Sequence, residues 1–208
     1  MPPSARRAIL VLAIVCASAG PLAAQTVEHA LCPMLIHDES IELEDAALAV
    51  TLARADFSAH EKIYKLIAGL WDADAVERMV YLKTKYDHDS YKLALERADL
   101  AVEEQQALVD QYELVCAGKQ RREVERARLR YRTAHCAEQA KAIEVAEVDL
   151  EYNRQLLDSV LNLFAGEVAT KTDVILAELK VELEQQRLAD AKRRTDLCRR
   201  ELAPPAEQ

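Results

Sequence analysis

Residues 150–183 read LEYNRQLLDSVLNLFAGEVATKTDVILAELKVEL, and this stretch decides the fold. Apolar residues recur at Leu150, Leu157, Leu161 and Phe164, the three-to-four spacing of one helix face. Gly166 breaks the run. Thr170-Lys171-Thr172-Asp173 follows, a hydroxyl N-cap with a carboxylate three residues on, and signals a new helix. Ile175, Leu179 and Leu183 then resume helical spacing. The pattern is therefore helix, short reversal, helix.

Working outward, the pattern repeats. Gly69, Gly118 and Gly166 cut the chain at intervals of 49 and 48 residues. No proline lies between Met34 and Ala203. A β-rich or α/β domain needs many turns, and turns draw on glycine and proline for their backbone angles. The 208 residues hold only 4 Gly and 6 Pro, which leaves an all-α fold. Ala, Leu, Glu, Lys, Arg and Gln fill the intervals, all strong helix formers. Four helices are expected, near 38–68, 75–117, 120–164 and 168–203, with Asp74 capping the second. Their predicted core seams are Leu48, Leu52, Ala55, Ala59, Ile63 and Leu66 on the first, and Tyr91, Leu95, Ala98, Val102, Val109 and Tyr112 on the second. Cys136, Ala140, Ile143 and Leu150 continue into Leu157, Leu161 and Phe164 on the third; Ile175, Leu179 and Leu183 mark the fourth. These narrow seams predict long antiparallel coiled-coil helices, two helical hairpins forming an elongated four-helix bundle. Residues 38–117 form the first hairpin and 118–203 the second, with an extended lead at 25–37 and a disordered tail at 204–208.

The N-terminus has Arg6 and Arg7, an apolar run from Ala8 to Ala19, and small residues up to Ala24. That is the build of a secretory signal peptide over 1–24, too short to span a membrane. Its removal takes the formal charge from −9 to −11, because Arg6 and Arg7 leave with it. Export to the bacterial periplasm or the periplasmic face of the outer membrane is expected. Strong acidity argues against nucleic acid as partner.

The remaining cysteines are Cys32, Cys116, Cys136 and Cys198. Cys32 and Cys116 are centred on residue 74, and Cys136 and Cys198 on residue 167. Residues equally far from a hairpin tip face each other across its arms, so each pair can bridge one hairpin. Cys116 and Cys136 would stand about 20 Å apart along the rod, beyond disulfide reach. The centres differ by 93, and that offset also aligns Leu70 with Leu163, Trp71 with Phe164 and Arg78 with Lys171. Two copies of one hairpin explain both alignments.

Gly166, Thr170, Asp173-Val174 and Ala177 together resemble the hairpin tip of TolC-type outer-membrane efflux proteins, as do the long helices around them. Hairpins of efflux adaptor proteins look similar. The resemblance covers roughly 40–203. It departs at one extra residue between Gly166 and Thr170, and in the direct passage from helix two to helix three through Ala117-Gly118-Lys119, with no barrel strands between. The resemblance implies a non-enzymatic envelope component that meets an efflux adaptor or pump through its tips. The tip residues carrying that contact would be Leu70, Trp71, Phe164, Gly166, Thr170, Asp173 and Val174. Here Gly166 would allow the turn, Thr170 and Asp173 would cap helix four, and Trp71 and Phe164 would supply apolar contact.

The other readings are a periplasmic holdase or scaffold, and a metal-binding envelope protein using Cys32, Met34 and His37. Asp87-His88-Asp89 points in three directions on a helix and reads as a solvated face. The basic run from Lys119 to Arg132 would pair with Glu103, Glu104, Asp110 and Glu113 or attract an anionic surface. No catalytic constellation, metal site or cofactor motif is present, so no enzyme is expected. Self-association is left open.

Overall fold

A computed structural model describes the backbone of residues 21–202 and the side chains of 31–202. Among the described residues four helices follow in order: α1 (Pro21–Asp72), α2 (Arg78–Cys116), α3 (Arg121–Ala165) and α4 (Lys171–Leu202). No strand occurs among the described residues. The protein is an all-α bundle of long helices joined by tight turns. The 45 residues of α3 alone reach about 68 Å at 1.5 Å per residue. Most of the segment 1–24, expected to be a signal peptide, and the tail 204–208, expected to be disordered, lie outside the described residues.

The lead at 25–37, expected to be extended, is helical. α1 begins at Pro21 and runs through Pro33. Pro33 removes one backbone donor, but the surrounding turns are held from outside. Cys32 is bonded to Cys116, Cα to Cα 5.6 Å. Two turns along, Gln105 donates to the Glu39 carboxylate at 2.6 Å and to its carbonyl at 3.1 Å. These bonds tie the first half of α1 to the last third of α2.

Each helix packs on the next one in the chain: α1 on α2, α2 on α3, α3 on α4. Among the described residues, α1 and α4 share no such packed face. The middle helices accordingly hold the best-buried apolar side chains, including Leu93, Val109 and Leu150.

The outer helices turn out differently from their predicted seams. Leu48 is 57% exposed, Leu52 59% and Leu66 65%; Ile63, Ala55 and Ala59 are exposed with them. The face of α1 that meets α2 is Val50, Ala53, Phe57, His60, Tyr64, Ile67 and Trp71, on the other side of the helix. It forms a ladder of rings. Trp71 stacks on Tyr81 at 5.0 Å, Tyr64 on His88 at 4.6 Å, and His60 on Tyr91 at 3.7 Å. Stacked rings contribute beyond the area they bury. On α4, likewise, Ile175, Leu179 and Leu183 face outward, while Ala177, Ala191 and Thr195 are buried. Thr195 donates to the Gln139 carbonyl of α3 at 3.0 Å. Small residues there let α3 and α4 approach closely.

Candidate functional site: the paired hairpin tips

Both tips lie at one end of the rod, where Arg78 at the start of α2 reaches Asp158 near the end of α3 at 3.4 Å. The tips share one backbone design. At the first, the Asp74 N–H donates to the Trp71 carbonyl at 3.0 Å and the Ala75 N–H to Leu70 at 2.8 Å. At the second, the Glu167 N–H donates to Phe164 at 3.0 Å and the Val168 N–H to Leu163 at 2.9 Å. These are paired six-to-one and five-to-two helix-ending bonds. The pivot residue is left-handed in each, Asp74 at φ 53° and Glu167 at φ 60°. Asp74 and Glu167 are also the centres of the two cysteine pairs, so the offset of 93 relates the turns bond for bond. The α2–α3 reversal uses the same motif, with Gly118 at φ 62°.

This geometry corrects two expectations. Gly166 does not take the left-handed angle; it sits at φ −86°, and Glu167 beside it makes the turn. A Cβ on Gly166 would meet only the Asn162 and Leu163 carbonyl oxygens, both at an ordinary 3.7 Å. Nor does Asp74 cap α2. The N-cap position is Glu77, whose side chain makes no capping bond. A left-handed non-glycine residue costs roughly 1–2 kcal/mol. Glu167→Gly is therefore expected to stabilise the protein by about 1 kcal/mol, Gly166→Ala to change it little, and Gly118→Ala to cost about 1 kcal/mol. Urea midpoints at unchanged slope measure all three.

The cap of α4 forms as the residues imply. Thr170 donates its backbone N–H to Asp173 Oδ2 at 2.8 Å and its hydroxyl to the same oxygen at 2.7 Å. The Asp173 N–H donates back to Thr170 Oγ1 at 3.2 Å. The Thr170 hydroxyl, then its backbone N–H, holds the Asp173 carboxyl below the usual aspartate range. A lowered folded-state pKa means that the cap's contribution is present above the unfolded value and fades as pH falls through the folded one. A carboxyl-carbon NMR titration should place Asp173 below an ordinary aspartate, and Thr170→Ala should return it upward.

The tip side chains divide. Trp71 is half-buried against Tyr81, so its ring belongs to the α1–α2 ladder. Leu70, Leu163 and Phe164 are exposed, Phe164 by 44%, and Val168 by 74%. Gly166, Thr170 and Asp173 are exposed and Val174 is half-buried. Val168 had no mark in the sequence; its exposure follows from sitting one residue past the left-handed pivot.

The other candidates resolve on geometry. His88 is not on a solvated face. Its ring packs on Tyr64 and Phe57, and its Nδ1 lies 2.9 Å from the Asp89 carboxylate. Asp87 and Asp89 pair with Lys83 and Lys85. Cys32, being disulfide-bonded, offers no thiolate to a metal beside Met34 and His37. Among the described residues no cluster of three or more His, Cys, Asp or Glu could hold a metal ion. In the basic run, Arg130 pairs with Asp110 at 3.4 Å and Arg132 with Glu201 at 3.8 Å. No described helix is long and apolar enough to cross a membrane.

Compared with protein-family models, curated proteins and solved structures, the chain gives no match.

Proposed function

We propose that this protein is a non-enzymatic component of the bacterial envelope that docks partner proteins of an efflux or secretion assembly through its paired tips. The observation that carries this reading is the exposed apolar end formed by Leu70, Leu163, Phe164 and Val168 on rigid, hydrogen-bonded turns. A few apolar anchors held by a stiff scaffold are what a protein–protein hot spot requires. The tip motif of Gly166, Thr170, Asp173 and Val174 supports the same reading through its resemblance to TolC-type efflux proteins. The export signal expected over 1–24 would deliver the chain to the compartment where an adaptor or pump is met.

A photocrosslinking residue placed at Phe164 in the native host tests this, against the exposed mid-rod position Ala94. The expected result is one discrete adduct from Phe164 alone, identified by mass as an efflux adaptor or pump. Many different envelope proteins captured from both positions would overturn the reading in favour of a holdase.

A further inference from the structure

The basic run at the α2–α3 reversal has no part in the tip reading. Residues 117–132 carry seven cations and two acids, in a chain whose formal charge is −9. Arg128 lies 3.9 Å from Glu125, Arg130 pairs with Asp110, and Arg132 with Glu201. Lys119, Arg121, Arg122 and Arg126 are exposed and form no ion pair among the described residues.

Two of these cations oppose the helix they begin. Arg121 and Arg122 open α3, where the helix dipole is positive and disfavours cations. Glu123 is the one acid of that first turn, and Gln120 at the N-cap makes no side-chain capping bond. The starts of α2 and α4 are matched from within the chain: Arg78 meets Asp158, and Thr170 and Asp173 cap each other's end. The start of α3 has no such match among the described residues.

The cations also surround the helix. At 3.6 residues per turn, Arg121, Arg122, Arg126 and Arg128 all point roughly 100° or more away from the fully buried Ala127, on both sides of it. The last turn of α4 reaches Arg132 through Glu201, and Arg121 lies about 16 Å farther along α3 at 1.5 Å per residue. Among the described residues, α4 therefore leaves this stretch uncovered. Val115 and Leu129, 49% and 52% exposed, add apolar surface to the same end.

We infer that the α2–α3 end of the rod docks on a bilayer surface carrying anionic phospholipid. A rigid protein partner would engage one side of α3 and leave the cations of the other side unmatched. A fluid layer of phosphate headgroups can close around all of them. Each cation held near such a surface strengthens binding about fivefold, and exposed apolar side chains add to it. The remainder of the chain is acidic, so the same surface repels it and the rod meets the bilayer by this end. The inference stands apart from the tip reading, which concerns proteins at the opposite end.

The test uses the full chain, with both disulfides formed, in flotation with phosphatidylcholine vesicles made with or without phosphatidylglycerol. Binding is expected only where phosphatidylglycerol is present. It should weaken at least about tenfold as salt shortens the screening length from ~30 Å to ~8 Å. Arg121→Ser, Arg122→Ser and Arg126→Ser combined should weaken it about a hundredfold. Lys62→Ser, Arg154→Ser and Lys180→Ser remove the same charge from cations far from this end, and should change it less than about threefold. All six residues are exposed, so helix content by circular dichroism should not change. The single tryptophan, Trp71, is at the tips, so brominated phospholipid should leave its emission unquenched. Failure to bind phosphatidylglycerol vesicles, equal binding to both vesicle types, equal loss from the two triple variants, or quenching of Trp71 overturns the inference.

Discussion

Replacing Cys32 and Cys116 together by serine is expected to cost about 4 kcal/mol, and replacing Cys136 and Cys198 about the same. The bridges close loops of 84 and 62 residues, and constraining an unfolded chain over such lengths is worth about 4–4.5 kcal/mol each by the chain-entropy relation. The loops follow one another without overlap, so the effects should add. A small domain has only about 5–15 kcal/mol in total. Reduction should therefore leave the protein at the edge of unfolding near physiological temperature. The physical reason is the shape. A single row of helices buries few side chains completely, and even Leu93, Val109 and Leu150 are the exceptions. Guanidinium midpoints of the oxidised, reduced and double-serine forms measure the effect. A shift worth less than about 1 kcal/mol would mean that packing alone holds the arms together.

The second large effect separates the two kinds of leucine. Leu150, 5% exposed between neighbouring helices, should cost about 3 kcal/mol on truncation to alanine. Leu52→Ala should change monomer stability by no more than about 0.5 kcal/mol, because its side chain already meets water. Equal costs at the two positions would show that the α1 stripe is buried within the monomer after all.

That contrast also shows what the sequence could tell and why. Helix number, the three turns and the disulfide partners were legible, because glycine spacing, the Thr170–Asp173 cap and the cysteine midpoints are local signals with few rival explanations. The facing surface of α1 was not. Two stripes of equal periodicity run along that helix, and the aliphatic one carries the stronger hydrophobic signal. The stripe that packs is built from Phe57, His60, Tyr64 and Trp71, whose rings stack on Tyr81, His88 and Tyr91 across the hairpin. Pairing of that sort depends on the register of two helices and has no signature in one of them. The packed face of α4 is hidden for a related reason: it is Ala177, Glu184, Ala191 and Thr195, residues that score weakly as core. Glycine is the residue expected to take a left-handed angle, whereas here Glu167 takes it beside Gly166. The helix before residue 38 has no clear signal in the sequence, since proline disfavours a helix interior; α1 nonetheless runs through Pro33, beside the bond from Cys32 to Cys116. Of the tip, the capping pair was visible in the sequence; the exposure of Val168 and the withdrawal of Trp71 into the ring ladder were not.

The exposed stripes require α1 and α4 to stand apart at the two edges of the row. Spin labels at Leu52 and Leu183, diluted into unlabelled protein so that only pairs within one chain are read, measure this directly by pulsed dipolar spectroscopy. With helices spaced 8–10 Å apart, a row of four puts the labelled backbones on the order of 20–30 Å apart. That distance is the expected result. A backbone separation of about 10 Å, with α1 against α4 in the same chain, would contradict the open row and leave neither stripe free for a partner.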